Sequence, residues 1–144
     1  MNFFSALNIS TSGLTAERVR MDVIASNIAN SEATRTPQGG PYVRKIVTFS
    51  ENLQRELDKK NNTYEKRIAG VAVNKISNDE STPMKKVYNP THPDADEDGY
   101  VTMPNVNMLN EMIDLITASR AFEANVTAIN AEKQMAMKAL EIGR

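Results

Sequence analysis

Between Val106 and Ile142 the chain contains neither proline nor glycine, and the first helix-breaking residue after that is Gly143. Within this stretch Leu109, Met112, Ile116, Ser119, Val126, Lys133, Met137 and Leu140 follow a spacing of three and four. Leu115, Phe122, Ile129 and Ala136 form an adjacent row repeating every seven residues. Both patterns belong to a helix of period 3.6. At about 1.5 Å per residue the helix, opened by Pro104 and Asn105, is roughly 55 Å long. A compact domain of 144 residues has no need of so long an element. A helix with two apolar rows can bury one against a partner within the chain and leave the other for a second chain.

The natural internal partner lies at the other end. Leu7, Leu14, Met21 and Ile28 recur every seven residues, and Phe3, Ile24 and Ala25 widen their stripe, which predicts a helix from Phe3 to Asn27. The stripe is thin, and Ser10, Thr11, Ser12 and Gly13 are mediocre to poor helix formers near its middle. The segment is therefore marginal in isolation and depends on packing. Asn30 suits a helix C-terminus, because Asn tolerates the left-handed conformation and its amide satisfies nearby backbone groups.

Between the two helices the pattern changes. Tyr42 to Phe49, Ile68 to Val73, Met84 to Tyr88 and Tyr100 to Met103 are rich in Val, Ile, Tyr and Phe and are separated by Gly, Pro, Asn and Asp. They read as strands of a small antiparallel sheet or of extended hairpins. Gly39, Gly40 and Pro41 turn the chain into the first. From Glu51 to Arg67 the sequence is mostly polar, with only Leu53 and Leu57 at helical spacing, so a short helix and a mobile loop are both open there. The fold class is α+β and discontinuous. Residues 1–30 and 106–144 form a helical unit pairing as a coiled coil, and residues 31–105 form a β-rich middle with a variable segment, 50–67.

Charge and composition exclude several functions. The formal net charge is −1, and it is evenly spread: Glu17 and Asp22, for example, offset Arg18 and Arg20. Such a balance gives neither nucleic acid nor an anionic membrane a surface to bind. Cysteine is absent, which removes disulfides, thiolate metal sites and thiol nucleophiles. The N-terminus lacks the pattern of a cleavable secretory signal, and charges at Glu17, Arg18, Arg20 and Asp22 interrupt any transmembrane span.

One motif invites a chemical reading. Asp94, Asp96, Asp98 and Gly99 occupy the first, third, fifth and sixth positions of an EF-hand calcium loop, with Val101 at the eighth. The twelfth position, where a bidentate Glu closes the coordination sphere, is Asn105, and Pro90, Pro93 and Pro104 preclude the flanking helices. The stretch reads instead as a solvated acidic turn. His92 is the single histidine and sits between two prolines as a turn residue. With one His and no Cys, the sequence offers no catalytic residue, no metal site and no cofactor site. Gly39 and Gly40 lead into Pro41 and a strand, unlike a phosphate-binding loop.

Several segments carry a resemblance. They are Ser12-Gly-Leu-Thr-Ala16; Arg20; Ala25-Ser-Asn27-Ile28-Ala29-Asn30; and Gly39-Gly-Pro41-Tyr42-Val-Arg-Lys45. In the second half they are Val87 to Asn107, which includes His92, Pro93, Asp94, Gly99, Tyr100, Pro104 and Asn105, and Glu111 to Gly143. With these the chain resembles the flagellar rod and hook axial proteins, and within them the proximal rod subunits of the basal body. The asparagine tetrad is shared across rod and hook proteins, whereas the stretch from His92 to Asn107, the run from Glu111 to Asn125 and the short length point to the proximal rod.

The resemblance implies a structural subunit of the bacterial flagellar basal-body rod, exported unfolded by the flagellar type III apparatus and polymerised in the periplasm into the shaft linking motor to hook. It implies paired terminal helices around a central channel and a middle segment outside them. Its partners would be other copies of itself and neighbouring rod and base proteins, with no nucleic acid and no small-molecule substrate. The expected assembly seam sets Leu7, Leu14, Met21 and Ile28 against Leu109, Met112, Leu115, Ile116, Phe122, Val126 and Ile129, within or between chains. A sister rod subunit and a calcium-responsive coiled-coil adaptor are the alternatives.

Overall fold

The structure is a computed structural model that describes the backbone of residues 3–58 and 63–142 and the side chains of residues 5–53 and 69–142. Two long helices, α1 (Phe3–Ala29) and α2 (Met108–Ile142), flank four strands: β1 (Lys45–Asp58), β2 (Thr63–Asn78), β3 (Lys85–Tyr88) and β4 (Tyr100–Met103).

The poor helix formers of α1 are accommodated by their own hydroxyls. Thr11 Oγ1 donates to the Leu7 carbonyl at 2.7 Å, Ser12 Oγ to the Ile9 carbonyl at 2.7 Å and Thr15 Oγ1 to the Thr11 carbonyl at 3.1 Å. Each hydroxyl is thereby satisfied on the helix surface. At the C-terminus, both the backbone N–H and the side-chain amide of Asn30 donate to the Ser26 carbonyl. Helix α2 starts two residues later than its sequence pattern suggested. Asn107 is its cap, with Oδ1 accepting the N–H groups of Leu109 and Asn110.

The helices pair antiparallel. Ser10 meets Glu132, Gly13 meets Asn125, Arg20 meets Asp114 and Asn27 meets Glu111. The buried apolar side chains along this seam are few: Ala16, Val23 and Ile24 on α1 and Ala118 on α2. Gly13 permits a close approach, since a Cβ there would lie 3.1 Å from Asn125 Nδ2.

Strands β1 and β2 form one long antiparallel hairpin whose register runs from Lys45 opposite Asn78 to Asp58 opposite Thr63. The polar stretch from Glu51 to Arg67, open to a helix or loop in the sequence, lies in the strands of this hairpin outside residues 59–62. Backbone ladder bonds do not require apolar alternation, so the pattern was silent there. The register slips twice, between Thr48 and Phe49 and between Glu51 and Leu53. At the second slip β2 carries Gly70 with φ 118°, the signature of a bulge. Strands β3 and β4 form a separate short hairpin, Lys85 opposite Met103 and Tyr88 opposite Tyr100.

The core is slender. The accessible surface is 10686 Å², against about 7,400 Å² for a compact chain of this mass. The excess of roughly 3,000 Å² is on the scale of an extensive protein interface.

Candidate assembly site

The deepest polar groups gather where the helical unit meets the middle. Four separate segments converge there: the end of α1, the residues leading into β1, those after β2, and the stretch from Asn105 to Asp114 that opens α2. Asn27 is 1 % exposed and Glu111 is fully buried.

Asn27 uses its whole hydrogen-bonding capacity. Its amide nitrogen donates to the Lys45 carbonyl at 2.9 Å and to Glu111 Oε2 at 3.1 Å. Its oxygen accepts the Tyr42 hydroxyl at 3.0 Å and the Lys45 N–H at 2.9 Å. A side-chain amide here substitutes for a strand neighbour at the root of β1. Asn105 does the same on the other side. Its oxygen accepts the Arg44 N–H at 2.7 Å, and its nitrogen donates to the carbonyls of Asp79 and Thr82.

Arg44 is the cation of this joint. Its Nε donates to Glu111 Oε1 at 2.6 Å, and its remaining nitrogens lie 3.6 Å from Asp79 Oδ2 and 3.7 Å from Asp114 Oδ2. Burial disfavours the Arg44 charge, but the Glu111 hydrogen bond and the charges of Glu111, Asp79 and Asp114 outweigh it and hold its pKa above the ordinary value. Asp79 is held well below the usual carboxylate range, chiefly because the hydroxyls of Ser81 and Thr82 donate to it, supported by their backbone N–H groups.

The two apolar rows of α2 face different ways. Leu115, Phe122, Ile129 and Ala136 are partly covered, on the side of buried Glu111 and Ala118. Leu109 (67 % exposed), Met112, Ile116 (55 %), Val126, Met137 and Leu140 are open. On α1, Leu7, Leu14, Met21 and Ile28 are half-buried, while Ala16, Val23, Ile24 and Asn27 are the covered positions. The side chain of Phe3 lies outside the described residues.

Of the motif residues, Asn27, Tyr42 and Asn105 meet in the joint, Pro104 is buried beside it, and Ala29 is exposed at the last turn of α1. His92, Pro93, Asp94 and Gly99 belong to the β3–β4 turn, Tyr100 opens β4, and Pro41 precedes Tyr42 in the loop after α1. Within that turn, Asp94 Oδ2 accepts the Thr34 hydroxyl at 2.8 Å and Oδ1 lies 3.9 Å from Arg35, while Asp96 Oδ1 accepts the Tyr100 N–H. Asp94 and Asp96 therefore bind the chain's own groups, and Asp94 ties the turn to the loop after α1. Among the described residues no three His, Cys, Asp or Glu side chains are grouped to hold a metal ion. No helix among them is long and apolar enough to cross a membrane.

Sequence reasoning did not single out Arg44, Asp79 or Glu111. A signal existed: Glu111, Ala118, Asn125 and Glu132 form a seven-residue row with polar or small members, where an apolar seam would be expected.

The family described as flagella basal body rod protein matches residues 7–35, and that described as flagellar basal body rod FlgEFG protein C-terminal matches residues 97–142. Flagellar basal-body rod protein FlgC of Bacillus subtilis is 48 % identical over 155 residues, covering all of both chains. That of Borreliella burgdorferi is 45 % identical, covering 99 % of this chain and 98 % of its own. That of Escherichia coli O157:H7 is 37 % identical over the full length of both. The chain accordingly belongs to the FlgC family of flagellar basal-body rod proteins and is a structural subunit of the rod.

Proposed function

We propose that copies of this chain and neighbouring rod and base proteins pack onto the outward row of α2, building the periplasmic part of the shaft between motor and hook. The observation that carries this reading is the division of α2 into a partly covered row on the side of Glu111 and Ala118 and an open row, Leu109, Met112, Ile116, Val126, Met137 and Leu140, along the same helix. An apolar stripe of that length is an interaction surface. Contacts that repeat without closing generate a filament. The chain reaches its site through the flagellar type III apparatus. A slender core suits that route, because little folded structure has to be undone before export.

Ile116→Asp tests the surface. The purified variant is expected to keep the helix content and melting temperature of the parent, while cells relying on it fail to assemble a rod and do not swim. Normal swimming of such cells would remove the outer row of α2 from the assembly surface.

A further inference from the structure

We infer that Arg44 and Glu111 are positioning residues that make the docking of α2 on α1 conditional on the root of the long hairpin having formed. Glu111 stands on the inner face of α2, in its first turn, and is fully buried. A carboxylate cannot be buried there without a cation, and neither helix supplies one to it. Arg20 of α1 is directed to Glu17 and Asp114, each at 4.0 Å. The cation for Glu111 is Arg44, at 2.6 Å, from the segment leading into β1.

Arg44 is itself fixed by the closed hairpin. Its carbonyl accepts the Asp79 N–H at 2.7 Å, directly beyond the pairing of Lys45 with Asn78. Its N–H is held by Asn105 and its guanidinium faces Asp79. When the hairpin root is open, Arg44 is not in place, and α2 would have to bury an unpaired charge to dock. An alanine or leucine at position 111 would carry no such condition. The polar residue specifies one arrangement at the expense of stability, as polar seam positions do in coiled coils. The hairpin joins neighbours in sequence and closes early, whereas the helix pair joins the two ends of the chain. The order of events is thereby set: middle first, ends second.

The absence of native cysteine permits a direct test. Ala118 is fully buried between the helices, so the thiol of an Ala118→Cys chain reacts with a maleimide only when the pair opens. Labelling is measured at pH 7 and referred to the same chain unfolded in urea. Arg44→Met in this background is expected to raise labelling about 10- to 100-fold, less than the roughly 150-fold or more of breaking a fully buried pair, because Arg44 is partly exposed. Adding Glu111→Gln, which keeps the hydrogen-bonding shape and removes the charge that needs Arg44, is expected to restore most of the protection. A merely structural role for Arg44 predicts no rescue. The inference is overturned if the parent Ala118→Cys chain labels at the unfolded rate, if Arg44→Met labels no faster than that parent, or if the double variant labels as fast as Arg44→Met alone.

Discussion

Gly70 of the hairpin lies directly against Ser12 of α1, so closely that a Cβ on Gly70 would collide with the Ser12 side chain. Ser12 Oγ accepts the Val71 N–H at 3.0 Å while donating to the Ile9 carbonyl. The glycine is needed twice, for its φ of 118° and for the missing side chain. Gly70→Ala should destabilise the chain by about 1–3 kcal/mol through backbone strain, with the contact adding to it. Urea unfolding would read the loss. Ser12→Ala, which removes the acceptor but relieves no strain, should cost about 1 kcal/mol or less.

Asn27→Asp changes one atom group and should be worse than Asn27→Ala. The aspartate loses the donors to the Lys45 carbonyl and Glu111 and brings a second carboxylate against a buried one. Asn27→Ala should cost about 2–4 kcal/mol, from stranding partners that lose about 1–3 kcal/mol each when left unsatisfied. Melting temperatures at pH 7 should therefore fall in the order parent, Asn27→Ala, Asn27→Asp.

Acid should loosen the joint through Asp79. Its folded pKa is depressed by the Ser81 and Thr82 hydroxyls, so its contribution is fully present above the ordinary carboxylate range. That contribution is lost as pH falls below this range toward the folded value. Unfolding of parent and Asp79→Asn followed from pH 6 to pH 2 should give stability curves that converge as pH falls. Curves that stay parallel throughout would contradict the shift.

The inner and outer faces of α2 should separate stability from assembly. Ala118→Leu adds volume at a fully covered position, and overpacking there should cost about 1–3 kcal/mol. Ile116→Asp, at an open position, should change stability by less than about 0.5 kcal/mol while abolishing swimming. Phe122→Asp, on the partly covered row, should show both effects. Thermal unfolding paired with a swimming assay distinguishes the three.

Helical periodicity was strong enough to reveal α1 and α2, and short runs with Val, Tyr and Met between turn residues revealed β3, which is exposed along its whole length, and β4, whose Val101 is buried. The hairpin beyond Ser50 was illegible because a two-stranded ladder is held by backbone groups that every residue carries. The polar joint was half visible. Asn27, Tyr42 and Asn105 stood out by resemblance, but nothing local marks Arg44 or Asp79, whose importance arises only when four separate segments meet. On α1, large side chains drew attention to the Leu7 to Ile28 row, while the covered positions include Ala16 and Val23. Close helix approach favours small residues, which carry little hydrophobic signal.

The hairpin is fastened to α1 at two places, by Asn27 at its root and by Ser12 beside Gly70. The two sites are about 22 Å apart along the helix, and β1 covers a similar span between Lys45 and Glu51, at about 3.3 Å per residue. One fastening would make the ribbon a pivoting arm. Two make it a cantilever clamped over a finite length, so a sideways load on its far end becomes a couple on α1.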